Sequence, residues 1–388
     1  MKTASAFGLG VAFALGFADI ANAHQLSPCY RVLTYRNGAP HEEPVRYVGH
    51  FCAVVMKQQE RNAVHEHMTA ATIREYRAAT ATGQAALNWK WEYMVEPEWT
   101  VIGRSHRSFA VIFGTWWNDD PLMLTWGESI DFLRGGYKVW SVFQPKRAKY
   151  AGAQSKCGVD ADVHLGKASH LGNLQHLHFM TTEKNTDISA RDQRIDITMQ
   201  KAMEWMSFAY QVATGDISPD QTLTAENEAQ LSLPSIALNH CVNSSNVKVR
   251  TLFARQGQTI EERNKRTPDI ALGSMLHILQ DSFSPAHACR VRREVDGKRQ
   301  ALLRDVENYA LQNKHVHRSL DQYPHWFLEY LKTGHRLYEN DPISVGAWLM
   351  SAVDRKLPWT EVEAHLRKTI FARASTASNT EGEQCIER

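Results

Sequence analysis

The residues 272–290 bring three side chains that could bind metal into one short run: His277, Asp281 and His287. His277 and Asp281 are four residues apart, which on a helix puts both on one face, about one turn apart. Pro285 is expected to end that helix, so that His287 can turn towards the same point. This arrangement suits two neighbouring divalent cations, and Asp281 can bridge them because a carboxylate has two oxygens.

A second pair of a histidine and a carboxylate, His317 and Asp321, repeats the four-residue spacing. Together with His287 it would supply three protein ligands, the number that a catalytic zinc ion takes while it keeps one position open. His325 and Glu329 have the same spacing and are the rival pair. The chain has 18 histidines in 388 residues, which favours a metal centre because neutral imidazole is the commonest metal ligand.

Further candidates lie upstream. His176 and His178 are two residues apart in an alternating pattern, so that one of them is expected to face a common site. Asp119 and Asp120 follow an aromatic run in which water would be scarce. A short run at 64–69, which contains two histidines, lies early in the first long helical segment.

The N-terminus has the pattern of a secretory signal peptide. One Lys precedes an apolar run from Ala6 to Ala18, and an Ala-x-Ala cleavage site ends at Ala23. We predict that His24 is the first mature residue and that the protein is secreted or periplasmic. The six cysteines include no C-x-x-C pair, which argues against a thiolate zinc site and, in a secreted chain, for disulfides, with Cys29–Cys52 the pairing expected first.

The elements that must position these residues are mainly helical. Helical periodicity covers about 57–82 and resumes after about residue 170. The later segments are 191–214, 222–255, 259–283, 301–313, 316–333, 343–354 and 359–372. Between the two parts lies an aromatic-rich insertion, about 88–166, in which 108–117 and 137–143 are predicted to be strands or buried extended segments. The predicted organisation is a signal peptide at 1–23, one mainly α domain at 24–375 with a partly β insertion, and a polar tail at 376–388.

These motifs resemble the metal ligands of the superfamily that contains zinc-dependent phospholipases C and single-strand-specific zinc nucleases. The spacing of His277-x3-Asp281-x5-His287 matches that superfamily's ligands for three zinc ions fully, and His317-x3-Asp321 matches its trailing pair in type and in approximate distance. Leu177-His178-Phe179 resembles its earlier histidine, Trp117-Asn118-Asp119 its Trp-x-Asp, and His67 the early histidine that holds the third zinc.

The resemblance implies a complete ligand set for three zinc ions. The first ion would be held by His178, His277 and Asp119, and the second by His287, His317 and Asp321. Asp281 would bridge the first ion to a third, held by His67 and His24. His24 stands where superfamily members begin with Trp, whose backbone groups chelate zinc. The long gap between Asp119 and His178 makes Asp162 the rival upstream carboxylate.

The activity implied is hydrolysis of a phosphodiester by zinc-activated water, because zinc lowers the pKa of bound water from about 15.7 towards about 7. Asp119 or Asp120 would position the water as a general base. A phospholipid such as phosphatidylcholine, cleaved at a membrane surface to diacylglycerol and a phosphorylated headgroup, is favoured over a nucleic-acid partner. The net charge is only +2, the insertion is rich in aromatic residues, and it resembles that of the longer secreted bacterial phospholipases C. The alternatives are a single-strand-specific nuclease and a non-catalytic secreted module stabilised by zinc.

Overall fold

The structure is a computed structural model in which residues 31–36, 39–44, 64–81, 107–119, 165–224, 231, 247–253, 259–374 and 384–386 are described. The expected mainly α architecture with a small β component is confirmed. The helices are α1 (Val64–Ala81), α2 (Arg107–Gly114), α3 (Leu165–Leu171), α4 (Arg191–Thr214), α5 (Val249–Phe253), α6 (Ile260–Asp281), α7 (Lys314–Leu320), α8 (His325–Thr333), α9 (Pro342–Arg355) and α10 (Trp359–Lys368). Two antiparallel hairpins pair β1 (Arg31–Arg36) with β2 (Ala39–Pro44) and β3 (Ala288–Val295) with β4 (Lys298–Val306). None of the described helices is both long enough and apolar enough to cross a membrane.

Helix α6 is the central element of the core. It begins at a capping box, in which Thr259 and Glu262 each accept a hydrogen bond from the other's backbone N–H. Every residue from Asp269 to Asp281 is buried, and α1, α2, α4, α5 and α9 all pack against this helix. From Asp269 onward the helix has no solvent face, so the polar residues of this part, His277 and Asp281 included, must find partners inside the protein.

Two glycines allow α2 and α6 to cross in close contact. A Cβ atom built on Gly273 would lie 2.2 Å from the carbonyl oxygen of Val111, and one built on Gly114 would lie 2.4 Å from that of Ile270. Any larger residue at either position would therefore push the helices apart. The close crossing places the turn 115–119, which follows α2, against the middle of α6.

The apolar run 108–117 was expected to be extended, and this prediction is wrong. Its residues form α2 and the start of the turn that leads to Asp119. A short apolar run that is buried on all sides fits a strand and a helix equally well, and packing against α6 decides between them here. The second predicted strand, 137–143, lies outside the described residues.

The segment 301–313 was expected to be helical, and this is also wrong. It forms β4 and a short 3-10 turn, Tyr309–Leu311. Asp296 and Gly297 join β3 to β4 with φ values of 51° and 71°, the backbone that a two-residue hairpin turn requires. This Asp-Gly pair is the sequence signal for the hairpin.

The remaining helical segments agree with the structure to different extents. Those at 191–214, 259–283, 343–354 and 359–372 correspond to α4, α6, α9 and α10, and the first segment corresponds to α1. The segment 316–333 is split into α7 and α8 ahead of Pro324, because proline cannot continue a helix. Of the segment 222–255, the described part contains only the short helix α5.

One disulfide, Cys289–Cys385, lies within the described residues. It attaches the segment 384–386 to β3, where the N–H of Ile386 also donates to the carbonyl oxygen of Arg290 at 2.8 Å. The Cys29–Cys52 pairing, the predicted signal peptide and His24 lie outside the described residues.

Candidate metal centre

Nine His and Asp side chains, almost all of them buried, form three groups of three. Within each group one potential ligand atom per residue lies within 4.8 Å of the others. The first group is His65, His277 and Asp281, the second is Asp119, His170 and His178, and the third is His287, His317 and Asp321. Each group could hold one metal ion.

Helix α6 and the turn after it supply the central ligands. The spacing of four residues places Nε2 of His277 2.8 Å from Oδ2 of Asp281. The helix ends at Asp281, four residues before Pro285, and a tight turn follows in which the N–H of His287 donates to the carbonyl oxygen of Ser284 at 3.0 Å. The buried guanidinium of Arg290 braces this turn by donating to the carbonyl oxygen of Ser282 at 2.6 Å.

Helix α7 joins the same centre from the other side. Asn313 caps its N-terminus by accepting hydrogen bonds from the backbone of the first turn. The hydroxyl of Ser284 donates to Oδ1 of Asp321 at 2.9 Å, which ties α7 to the turn that carries His287. Nε2 of His287 lies 3.7 Å from the same oxygen of Asp321, and Nε2 of His317 lies 3.9 Å from Oδ2.

Backbone carbonyls determine which nitrogen of two histidines carries the proton. Nδ1 of His277 lies 2.6 Å from the carbonyl oxygen of Thr115, and Nδ1 of His287 lies 2.9 Å from that of His178. A carbonyl oxygen can only accept, so both Nδ1 atoms carry a proton and donate it. In the neutral ring the lone pair is then on Nε2, which faces the carboxylates, as in histidines that bind metal.

The close approach of acceptor atoms indicates that the centre fits cations. With Nδ1 of His277 donating to Thr115, Nε2 and the ionised Asp281 are two acceptors only 2.8 Å apart, an arrangement that needs a proton or a metal ion between them. Nε2 of His178 and Oδ2 of Asp119 are buried and make no hydrogen bond within the described part of the chain. Unsatisfied buried atoms are costly, and a cation would satisfy both. His and Asp ligands without cysteine suit zinc and also accept other first-row metals.

The electrostatics of the centre favour ligation. Burial raises the pKa of Asp281, but the neighbouring histidines, His277 first, hold it well below its usual range, so Asp281 is ionised. Burial, followed by the nearby His170, lowers the pKa of His178 to about 3, which keeps its ring neutral. Burial raises the pKa of Asp321 to about 8, and a divalent cation in the third group would favour the ionised carboxylate.

Most of the metal ligands expected from the sequence are brought together by the fold. The seven that the three groups contain are Asp119, His178, His277, Asp281, His287, His317 and Asp321. His24, Asp120 and the rival carboxylate Asp162 lie outside the described residues. Of the other candidates, His176 is buried but belongs to none of the three groups, and the side chain of His325 is 72% exposed beside Glu329.

Of the two histidines on α1, it is His65 rather than the expected His67 that lies in a group with His277 and Asp281. Nε2 of His65 lies 3.3 Å from Oδ1 of Asp281, and its ring stacks on His277. Nδ1 of His67 instead forms a hydrogen bond of 2.5 Å with the hydroxyl of Tyr323. Residues two apart on a helix point to nearly opposite sides, so only one of the two histidines can face α6.

His65 and His170 are the two members of the three groups that sequence reasoning missed. His65 shares one face of α1 with Thr69 and Tyr76, and all three are buried. This helical spacing is the sequence pattern that could have identified His65. His170, on α3, has no spacing relationship to a second ligand. Its Nε2 lies 3.6 Å from Oδ1 of Asp119 only because the fold brings α3 to the turn after α2.

No family model, curated protein or solved structure matches the chain.

Proposed function

We propose that this chain is a metal-dependent phosphodiester hydrolase that holds three divalent cations, with zinc as the native metal, and that it cleaves phospholipids as a phospholipase C. The observation that carries the proposal is the position of Asp281. Its carboxylate lies within 3.3 Å of histidines from all three groups: His277 at 2.8 Å, His178 at 2.9 Å, and His65 and His287 at 3.3 Å. The three groups therefore form one centre, which suits a phosphate group that needs charge neutralised on several oxygens.

Each part of the centre has a chemical role in this proposal. The three groups hold the ions, which when bound supply an acidified water and positive charge for the phosphate oxygens. Asp281 joins the groups. Burial raises the pKa of Asp119, but His277, His170 and other histidines lower it to about 2. Such a carboxylate is a weak base, so Asp119 orients the attacking water by accepting its hydrogen bond rather than by storing its proton.

Exposed apolar side chains that adjoin residues of the centre in the sequence support a lipid substrate. Leu171 is 39% exposed and follows His170, while Val316 is 54% exposed and precedes His317. Leu311 is 50% exposed and lies two residues after Tyr309, whose ring contacts both His170 and His317. Exposed apolar residues next to a polar centre suit acyl chains better than the phosphate backbone of a nucleic acid, which calls for a basic surface. The signal-peptide pattern and the Cys289–Cys385 disulfide fit an extracytoplasmic location.

The test is to load the purified chain with zinc and incubate it with phosphatidylcholine vesicles, single-stranded DNA and RNA. Release of diacylglycerol and phosphocholine that stops on addition of a chelator is expected. Cleavage of nucleic acid without release of diacylglycerol would assign the protein to the nucleases instead. Tightly bound metal without turnover of any of the three substrates would mean that the ions only hold the helices together.

A further inference from the structure

We propose that Gln312 and Gln280 are positioning residues that orient the ligands His317 and His65 before metal binds. The inference rests on the metal centre of the proposed function. In it, two side chains that do not bind metal, Gln312 and Gln280, orient the imidazole rings of two ligands.

The hydrogen bonds of Gln312 determine the orientation of its amide. The amide nitrogen lies 2.6 Å from the backbone carbonyl oxygen of Ala286, which can only accept, so the NH₂ group must face Ala286. The amide oxygen then faces Nδ1 of His317 at 2.5 Å and can only accept from it. His317 therefore carries its proton on Nδ1, and in the neutral ring the lone pair on Nε2 faces Asp321.

Gln312 also joins two separate ligand-bearing segments. Ala286 precedes His287 in the turn after α6, whereas His317 lies on α7. The amide of Gln312 thus links the side chain of His317 to the backbone of Ala286, next to His287. The rings of the two histidines stack with centroids 5.2 Å apart. This bridge and the hydrogen bond that Ser284 donates to Asp321 hold the two segments together.

Gln280 makes the same arrangement in the first group. It lies on α6, next to Asp281, and its amide oxygen accepts from Nδ1 of His65 at 2.6 Å. Its amide nitrogen donates to the hydroxyl of Thr69 at 2.9 Å, one turn further along α1. Gln280 is 1% exposed, and its amide attaches α1 to α6 where Nε2 of His65 lies 3.3 Å from Asp281.

The two substitutions Gln312→Leu and Gln312→Glu separate orientation from anchoring. Leu has a similar volume but offers no acceptor, so the imidazole of His317 can rotate, and partners of this kind typically change metal affinity by about 10- to 100-fold. Glu keeps an acceptor for Nδ1 while it loses the donor to Ala286. We expect Gln312→Leu to lower the affinity for one of the three ions by about 10- to 100-fold. We expect Gln312→Glu to bind the same ion with an affinity within a few-fold of the parent's.

The experiment measures metal binding by the full chain rather than its activity. Five metal-free proteins are titrated with zinc against a chromophoric chelator: the parent, Gln312→Leu, Gln312→Glu, Gln280→Leu and Gln200→Leu. Gln200 is an exposed residue on α4, so its variant is the control. They are then loaded with Co²⁺, whose visible absorption reports ligand geometry, and the melting temperatures of the metal-free proteins are compared. Weaker binding and an altered Co²⁺ spectrum, with an unchanged metal-free melting temperature, are expected for Gln312→Leu and not for Gln200→Leu.

The outcomes separate this inference from the proposed function. Parent-like affinity and spectra in Gln312→Leu would overturn the inference, even if the parent hydrolyses phosphatidylcholine. Weakened binding in that variant, with a parent that hydrolyses no phosphodiester, would uphold the inference and count against the function alone. If Gln280→Leu does not fold, the comparison of Gln312→Leu with Gln312→Glu tests the inference. A parent that binds no metal ion would overturn both.

Discussion

Nε2 of His277 lies 2.8 Å from Oδ2 of Asp281, one turn along the same buried helix, and the backbone of Thr115 fixes the proton of His277 on the far side of the ring. Two acceptors at this distance, in the fully buried part of α6, fit a cation between them.

The first prediction concerns Asp281. Asp281→Asn keeps the size of the side chain but removes the charge that the surrounding histidines share. We expect at least one ion fewer per chain, by elemental analysis, and a loss of phosphodiester hydrolysis on the order of 100-fold or more. Asp192→Asn, at an exposed position on α4, is the matched control. Full metal content and normal turnover in Asp281→Asn would remove the basis of the three-ion centre.

The second prediction separates two neighbouring histidines on α1. His65→Ala should lower the metal content by one ion, since Nε2 of His65 faces Asp281, whereas His67→Ala should keep all of it because His67 faces Tyr323. Metal analysis of the two variants side by side decides the matter. The reverse pattern would restore the ligand expected from the sequence.

The third prediction concerns the crossing of α2 and α6. Gly273→Ala would place a Cβ atom 2.2 Å from the carbonyl oxygen of Val111, so the helices must separate. We expect the free energy of unfolding, measured with denaturant, to fall by about 1–3 kcal/mol or more. Metal affinity should fall as well, because Thr115 would move away from His277. Gln200→Ala, on the exposed face of α4, should change neither quantity.

The fourth prediction is a dependence of stability on pH that arises outside the metal centre. Asp341 caps α9, and burial raises its pKa from 3.8 to about 6. Between these values the folded state retains a proton that the unfolded state releases, so this contribution to stability is complete below about pH 4 and is lost as the pH rises through about 6.

Asp341→Asn tests this contribution, since the amide oxygen can still accept from the N–H groups of Ile343 and Ser344 but does not titrate. In metal-free protein the variant should gain stability relative to the parent as the pH rises from 4 to 7, by an amount on the order of 3 kcal/mol. Urea unfolding at several pH values provides the measurement. A difference between the two proteins that does not change with pH would contradict the assignment.

Local patterns in the sequence predicted the parts of the centre that depend on one element at a time. The four-residue spacings of His277 with Asp281 and of His317 with Asp321 need only a helix, and the break before Pro285 needs only the geometry of proline. These features follow from rules that act within a few residues. The mainly α fold could be predicted for the same reason.

The parts that depend on contacts between distant segments could not be predicted in this way. His170 meets Asp119, and Gln312 meets Ala286, because separate elements pack together, and no periodicity records that. The run that became α2 is apolar on all sides, and only its crossing with α6 makes it a helix. The β3–β4 hairpin is different, since the Asp-Gly pair of its turn is a local signal in the sequence.

The contact of Gly114 with Gly273 has a consequence for recognising this centre in other sequences. A side chain at either position would separate the two helices, so a chain that builds its centre in this way is expected to keep two glycines far apart in sequence, one shortly before the upstream carboxylate and one four residues before the central histidine. A sequence with all nine ligands but a larger residue at either crossing point would have to arrange its carboxylate differently. The two glycines are therefore as informative for recognising this centre in a sequence as the nine His and Asp residues are.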